Sequence, residues 1–307
     1  MLAIAIINYN TFEKTVECVN SIFKTAKCEY KIYLLDNASK NDSFERLSEL
    51  FGHDGRIELI KSEENLGYGK GNNLCIEKAK SDGCDYVLIS NNDIIFKEGS
   101  IDLLLDEIKK SGAFITSPKV LGLDGKQQVS IKAVKPSFKE YLLFSNYILG
   151  HFVSKKKTRE YFKKTAKNVK GEVYWASGAC FMADMNQFEK IGFFDPYTFL
   201  YFEEYIISEK ADLAGLKRIY VPDAEVIHYH AASVDSSSKL FTRLENFKSE
   251  CYMFSNYWVI QKKKLKTIRF IRCLEVLYTF TKNKRLNEAF AFIKESRRIL
   301  KSTPRKE

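Results

Sequence analysis

The chain has 307 residues, 45% of them hydrophobic and 29% charged, with only five prolines and no low-complexity tract. That is enough to bury a large core, as one big α/β domain or a domain with an appendage, and it excludes a disordered or fibrous protein. The net charge of +10 is uneven, with Lys262, Lys263, Lys264, Lys266, Arg269, Arg272 and a further group from Lys282 to Lys306 crowding the C-terminal end. Such a tail suits nucleic acid, anionic lipid or a phosphorylated carrier, or it is simply the solvated face of terminal helices. No nucleic-acid motif accompanies it, so nucleic acid is not an expected partner.

Seven cysteines (18, 28, 75, 84, 180, 251, 273) form no Cys-x-x-Cys. Cys18, Cys75 and Cys180 sit in apolar-periodic segments and read as small core residues in a reducing compartment. Met1–Ile7 is apolar but lacks a basic flank, so it reads as a strand rather than a signal peptide. No run reaches the roughly 18 apolar residues of a membrane span. The expectation is a cytoplasmic protein, peripheral at most on the inner face of the plasma membrane.

In chain order, residues 2–8 read as a buried strand, and Asn10 with Glu13 resembles a capping box for a helix carrying Phe12, Val16, Val19, Phe23 and Ala26. Lys31–Asp36 is a second strand, followed by a helix over Asp42–Phe51 and a third strand over Ile57–Lys61. Asn65-Leu66-Gly67-Tyr68-Gly69-Lys70-Gly71-Asn72-Asn73 opens a helix to about Ser81. Asp85–Ser90 is a fourth strand running into Asn91-Asn92-Asp93, then come a helix over Ile101–Lys110 and a strand over Ala113–Ser117. Repeated β-α-β with short connections predicts a mostly parallel sheet with helices on both faces.

After Pro118 the rhythm changes. Gly122–Gly125 predicts a hairpin turn, and residues 136–168 alternate aromatic and basic side chains (Phe138, Tyr141, Phe144, Tyr147, Phe152, Lys155–Lys157, Arg159–Lys164). That segment is either a mobile amphipathic cover, a membrane-surface element or a plain surface helix. Strands are expected over Glu172–Trp175, Ala179–Ala183, Lys217–Val221 and Glu225–Tyr229, with helices over 184–191 and 204–214. Gly215 suits a C-cap, and from about Lys239 the chain is helical without an independent core.

Polar residues end successive strands: Asn8 and Asn10, Asp36 and Asn37, Asn65, and Asp93. Parallel strands deliver such loops to one edge, where α/β sheets bind ligands. Asp93, with no basic neighbour in sequence, is placed to hold a cation that neutralises a diphosphate, or else it caps a helix starting near Glu98. Gly67-x-Gly-x-Gly71 would let backbone N–H groups approach phosphate at a helix N-terminus. It follows the third strand, not the first, so it is not a dinucleotide fingerprint.

Asn8-Tyr9-Asn10, Asp36-Asn37-Ala38-Ser39, Asn65-x-Gly67-Tyr68-Gly69-x-Gly71-Asn72-Asn73 and Asn91-Asn92-Asp93 together resemble the family-2 glycosyltransferases of the GT-A fold, in particular bacterial rhamnosyltransferases and other cell-surface polysaccharide enzymes. Trp175-Ala176-Ser177-Gly178-Ala179, Gly192-Phe193-Phe194-Asp195, Tyr201-Phe202-Glu203-Glu204, and His228 with Ser233 agree, so the resemblance spans residues 2 to about 260. It implies a Rossmann-like catalytic domain over 1–235, with a nucleotide-sugar half to about 120 and an acceptor half from 121, and a basic helical extension over 236–307. It implies an inverting, metal-dependent transfer from a nucleotide-diphospho sugar (dTDP-rhamnose or a UDP-hexose) to a saccharide or polyprenyl-diphosphate-linked acceptor in bacterial cell-surface polysaccharide synthesis.

The resemblance also implies roles. Asp36 takes the base edge, Tyr9 and Asn65 line base and ribose, and Asn8, Asn10, Gly67, Lys70, Asn73, Asn92 and Ser233 complete the donor site. Asp93 holds Mg²⁺ or Mn²⁺, a hard cation suited to carboxylate and phosphate oxygen, with His228 as a second metal ligand or a diphosphate contact. Glu204, with Glu203 beside it, is the base that a weakly acidic sugar hydroxyl requires, although two acids also suit a helix start. Trp175 and Gly178 border the acceptor, though a core Trp has the same sequence signature.

Three residues depart from the family pattern. Asn91 replaces the first acid of the DxD-like triplet, Glu204 stands where Asp is usual, and Ile206 replaces a third acid, with the expected basic residue beyond it missing. Ile206 is the feature that keeps open a catalytically impaired, nucleotide-sugar-binding protein.

Overall fold

The computed structural model describes residues 1–151, 153–165, 169–229 and 239–305. Ser233, His230 and Phe152 lie outside them. The first half runs β1 (Leu2–Asn8), α1 (Phe12–Thr25), β2 (Tyr30–Asp36), α2 (Ser43–Phe51), β3 (Ile57–Lys61), α3 (Gly67–Ser81), β4 (Tyr86–Asn91), β5 (Ile94–Phe96), α4 (Ser100–Ser111) and β6 (Ile115–Leu121). Then follow β7 (Ile131–Lys132), α5 (Phe138–Phe144), α6 (Tyr147–His151), α7 (Lys155–Thr165), β8 (Gly171–Glu172), β9 (Trp175–Ala176), β10 (Cys180–Asp184), α8 (Met185–Lys190), α9 (Glu203–Leu213) and β11 (Arg218–His228). Three helices close the chain: α10 (Lys239–Asn256), α11 (Lys262–Lys282) and α12 (Leu286–Ser302).

Period-2 side-chain alternation explains why the first strands are apolar throughout. On β1, Ile4 and Ile6 face α1 residues Cys18, Val19 and Ile22, while Ala3 and Ala5 face α3 residues Cys75, Ile76 and Ala79. Ile32, Leu34 and Tyr33, Leu35 divide β2 in the same way. Each such fully buried aliphatic stabilises the sheet by about 1.5–3 kcal/mol, so neither face tolerates a polar substitution. Cys18, Cys75 and Cys180 are buried thiols in these two cores.

The large sheet has the order β3-β2-β1-β4-β10-β6-β11-β5, with β8 on β11. It is mostly parallel, but β10 runs antiparallel between β4 and β6, and β5 antiparallel to β11. Local pattern gives β10 as a strand and cannot give its slot. Parallel register sets Asn8 beside Asp36 and Ile7 beside Asn91, so the polar strand ends do share one edge. Two expected strands fuse into β11, whose bulge between Val221 and Glu225 absorbs Pro222, a residue with no N–H for the ladder. The hairpin at Gly122 forms, with Gln128 N–H donating to the Val120 carbonyl.

Two cap expectations fail. Asn10 is not a cap: Thr11 precedes α1, and Asn10 takes a left-handed φ of 59° while its Oδ1 accepts from Lys40 N–H. Asp93 does not cap a helix either, because β5 intervenes and α4 starts behind Gly99.

The C-terminal helices have no separate core. Phe247, Tyr252, Phe254, Ile268, Val276, Phe280 and Phe292 form one cluster with Tyr141 of α5 and with Phe202, Tyr205 and Ile206 around the start of α9. The aromatic stretch after 136 is therefore anchored, through Phe138 and Tyr141, on these helices.

Candidate active site

Asp36 lies at the end of β2, nearly sealed from solvent at 1% exposure. Asn8 Nδ2 (2.8 Å) and Ser39 Oγ (2.7 Å) donate to its Oδ2, and Ser39 N–H (3.0 Å) to its Oδ1. Asn8 is itself fully used, since its Oδ1 accepts from Thr15 Oγ1 at 2.8 Å. Asn92 likewise donates to the Thr11 and Thr15 hydroxyls, each at 2.8 Å, and pins the end of β4 to α1. Asn73 donates to the Phe194 carbonyl and accepts from Phe194 N–H, both at 3.0 Å. These three amides hold the site together from behind. Tyr9, Asn10 and Asn65 are partly exposed around the strand-end edge, and Lys70 is exposed.

The glycine-rich turn does not cradle phosphate with its first amides. Leu66 N–H donates to Asn37 Oδ1, Gly67 N–H to Asn65 Oδ1, and Tyr68 N–H to the Phe199 carbonyl. The glycines answer a packing demand: a Cβ on Gly67 (φ 75°) would sit 2.3 Å from the Phe199 carbonyl oxygen, and one on Gly71 2.9 Å from Ile7 Cδ1.

Asp93 and His228 meet. Antiparallel pairing of β5 with β11 sets His228 opposite Ile94, and Tyr229 N–H donates to the Asp93 carbonyl at 3.1 Å. Asp93 Oδ1 then lies 3.2 Å from His228 Nε2, both side chains nearly buried. Gln128 sets the imidazole. Its Nε2 donates to the His228 carbonyl at 3.2 Å, which turns its Oε1 toward Nδ1, also at 3.2 Å. Nδ1 therefore carries the proton in the neutral ring, and the Nε2 lone pair faces a carboxylate oxygen. Two acceptors this close call for a cation or a proton between them, which fits a divalent ion with a positioned second shell. Among the described residues no third His, Cys, Asp or Glu joins them, so the remaining ligands of an ion would be phosphate oxygen and water.

Across the edge, the segment leading into β10 is tied to β4: Asn91 N–H donates to the Ala179 carbonyl at 2.8 Å. Glu203 and Glu204 begin α9, directly after Tyr201 (φ 73°) and Phe202 (φ 69°). Two successive non-glycine residues in the left-handed region cost about 1–3 kcal/mol each, and burial of Phe202 among the C-terminal helices holds them there. Gly178 N–H donates to Glu204 Oε1 at 3.1 Å, and a Cβ on Gly178 would stand 2.9 Å from the same oxygen. Gly178 thus makes room for the Glu204 carboxylate itself.

Burial raises both acids above the ordinary carboxylate range, Glu203 to about 8 with the neighbouring Glu204 charge adding to the effect. The Glu204 and Gly178 N–H groups and the Lys132 ammonium oppose the rise at Glu204; at Glu203 its own N–H and the Thr198 side chain oppose it, while Oε1 is buried without a hydrogen-bond partner. The shared charge belongs on Glu204 and the proton on Glu203. Lys132, on β7, is pushed down to about 8 by burial. Its ammonium contacts the Tyr205 hydroxyl and lies 5.4 Å from the Trp175 ring centroid. Sequence reasoning missed Lys132 and Gln128, which sit on short segments with no motif of their own.

A stability test follows for Glu203. Its folded value of about 8 exceeds the ordinary 4.5, so the stability it contributes is present below 4.5 and lost as pH rises through about 8. Glu203→Gln mimics the protonated form at every pH. Its unfolding free energy should match the parent's near pH 4.5 and exceed it above pH 8, by an amount on the order of a few kcal/mol. A difference that does not vary with pH would contradict the assignment.

A cavity of about 570 Å³ opens beside Glu204, walled by Tyr201, Phe202, Tyr205, Arg243 and Phe247. Ile206 is fully buried against the C-terminal helices, where a carboxylate would be driven into an apolar cluster.

The family model for "Glycosyl transferase family 2" matches residues 3–208. An N-acetylglucosaminyl-diphospho-decaprenol L-rhamnosyltransferase of Mycobacterium tuberculosis is 28% identical over 223 residues, 68% of this chain and 70% of that protein. Rhamnosyltransferase WbbL of Escherichia coli is 28% identical over 206 residues, 65% of this chain and 73% of that one. Among solved structures, GalNAc-T7 with UDP, GalNAc and Mn²⁺ superposes with a TM-score of 0.62 at 17% identity, over 83% of this chain, which spans about half (47%) of it. S. aureus TarS 1-349 with UDP-GlcNAc superposes at 0.56 and 12% identity, over 97% and 91% of the two chains. Matched over most of its length by the family model, and built on the mixed sheet of GT-A enzymes, the chain belongs to glycosyl transferase family 2 and is a glycosyltransferase.

Proposed function

We propose that this enzyme moves a sugar, with inversion, from a nucleotide-diphospho sugar to a saccharide carried on polyprenyl diphosphate, in the assembly of a cell-surface polysaccharide. The observation that carries the reading is the approach of Asp93 to His228, from opposite ends of the catalytic region, with the imidazole tautomer set by Gln128. The names of the M. tuberculosis and E. coli relatives favour L-rhamnose as the sugar, and the first of them favours the lipid-linked acceptor.

The nucleotide lies over the edge of β1–β4. Tyr9 and Asn65 line base and ribose, Asn10 and Lys70 stand at the rim, and Asp36, nearly sealed and held by Asn8 and Ser39, fixes the strand-end loop on which the base would rest. Ser233, outside the described residues, is proposed as a phosphate contact. Asn8, Asn73 and Asn92 support the donor site without touching donor, because their amides are engaged within the protein. Asp93 and His228 would hold Mg²⁺ or Mn²⁺, which when bound stabilises negative charge on the departing diphosphate. Glu204 takes the proton from an acceptor hydroxyl as that oxygen bonds to the anomeric carbon, and the pair of the broken carbon–oxygen bond leaves with the diphosphate. Attack from the opposite face inverts the centre. Protonated Glu203 keeps a second charge away from the nucleophile, and Trp175 with the cavity beyond Glu204 borders the acceptor.

Incubation with Mg²⁺ or Mn²⁺ and a panel of dTDP-, UDP- and GDP-sugars, following nucleoside diphosphate release, tests this. Divalent-dependent release, faster with a lipid-linked saccharide, is expected for one donor. Tight donor binding without turnover for any acceptor would instead favour the impaired binding protein raised by Ile206. No binding of any nucleotide sugar would end the reading.

A further inference from the structure

The positive charge of the chain resides on its last two helices. Residues 262–305 contain fourteen Lys and Arg against three acids, while the whole chain carries +10, so the remainder is close to neutral. Neither the donor site nor the cavity beside Glu204 uses this charge, apart from Arg272, whose guanidinium is locked on Glu250 and Glu275.

The exposed face of the same helices is apolar in the middle. On α11 the inner side is Leu265, Ile268, Val276 and Phe280. The outer side presents Lys266, Phe270, Leu274, Tyr278 and Lys282 at every fourth residue, all exposed. Phe270 is 62% accessible, and Lys282 lies over the Tyr278 ring at 5.3 Å. α12 repeats the pattern: Leu286 and Phe290 (62% accessible) lead into Lys294, Arg298 and Lys301. The helices are antiparallel neighbours joined at Asn283–Arg285, with Arg269 donating to Ser296 and to the Ile293 carbonyl. Leu286 and Phe290 therefore lie at the level of Tyr278 and Leu274.

A merely solvated face has no reason to repeat large apolar side chains at four-residue intervals on two adjacent helices. Nucleic acid would use the charge but not the aliphatic side chains. Apolar side chains ringed by Lys and Arg match the headgroup–acyl boundary of an anionic bilayer. No helix among the described residues is long and apolar enough to cross a membrane. We infer that the outer face of α11 and α12 docks the enzyme on an anionic lipid surface, with Phe270, Leu274, Tyr278, Leu286 and Phe290 inserted at the interface and the flanking lysines and arginines on lipid phosphate. The inference is independent of the transfer reaction.

The test is cosedimentation of the full chain with phosphatidylcholine vesicles with and without phosphatidylglycerol, in low and high salt. Binding is expected only with the anionic lipid and should weaken as salt rises. The combined variant Phe270→Ser, Leu274→Ser, Phe290→Ser should lose at least about tenfold in partitioning, with circular dichroism and thermal midpoint unchanged because these side chains are exposed. A second variant, Lys266→Glu with Lys294→Glu, should lose binding chiefly in low salt. Wild-type binding by the serine variant would overturn the inference, as would equal binding to neutral vesicles or none to either. A stable dimer that the serine variant dissolves would also overturn it, making the face a contact between copies.

Discussion

Glu204→Gln is expected to lower turnover by about 10²–10⁴-fold while donor affinity stays within about twofold, because the lost function is proton transfer and not binding. The amide keeps the size of the carboxylate and can still accept the Gly178 N–H that now reaches Oε1, so the loop and α9 should not move. What disappears is the ability to take a proton. The parent's profile should show the reason: burial holds the Glu204 carboxyl above its ordinary range, so its basic form, and with it the rate, increases as pH rises through its ionisation. The Gln variant should lack that limb. Single-turnover rates across pH, beside calorimetric donor affinity, check both halves, and a Gln variant with parental turnover would remove Glu204 from the role. Glu204→Asp should keep part of the rate, since the shorter side chain draws the carboxylate back from the pocket that Gly178 leaves open.

Asp93→Ala should be comparably severe through donor binding. The substitution leaves His228 Nε2 without the carboxylate 3.2 Å away, and with it most of the protein charge available to a divalent ion. Turnover is expected to fall by at least about 10³-fold, and the metal-dependent part of donor affinity should vanish. Gln128→Ala should fall between that variant and the parent, losing about 10–100-fold, because it frees the imidazole to change tautomer and orientation while both proposed ligands remain. Titration of nucleotide sugar with Mg²⁺, with Mn²⁺ and with chelator separates the cases. If Asp93→Ala binds donor as the parent does in all three conditions, the cation site lies elsewhere.

The sequence carried the polar strand-end edge clearly, for a reason that lies in the strands. Apolar runs of β1, β2 and β4 buried on both faces admit no polar residue until the chain leaves the sheet, so Asn8, Asp36 and Asn91 mark where each strand ends. Parallel register then places those ends together. The same local logic misled at the glycines. Gly67 is required by its positive φ and the close approach of the Phe199 backbone, and Gly71 packs against the side-chain ends of Ile7 and Leu35; a sequence does not distinguish a glycine kept small for a ligand from one kept small for a neighbour.

By itself, then, the sequence determined the α/β class, the edge where strands end in amides and acids, and the family motifs that put Asp93 and Glu204 in view. Each of these rests on local periodicity or on residues close together in the chain. Tertiary structure alone decided the antiparallel slot of β10, the meeting of Asp93 with His228, the contact of Gln128 with the imidazole, and the burial of Glu203 and Glu204 side by side. It also gave Ile206 its reason, as a side chain covered by the C-terminal helices. All of these depend on pairings between segments far apart in the chain, and the free energy of such contacts comes from burial and register that no local pattern encodes.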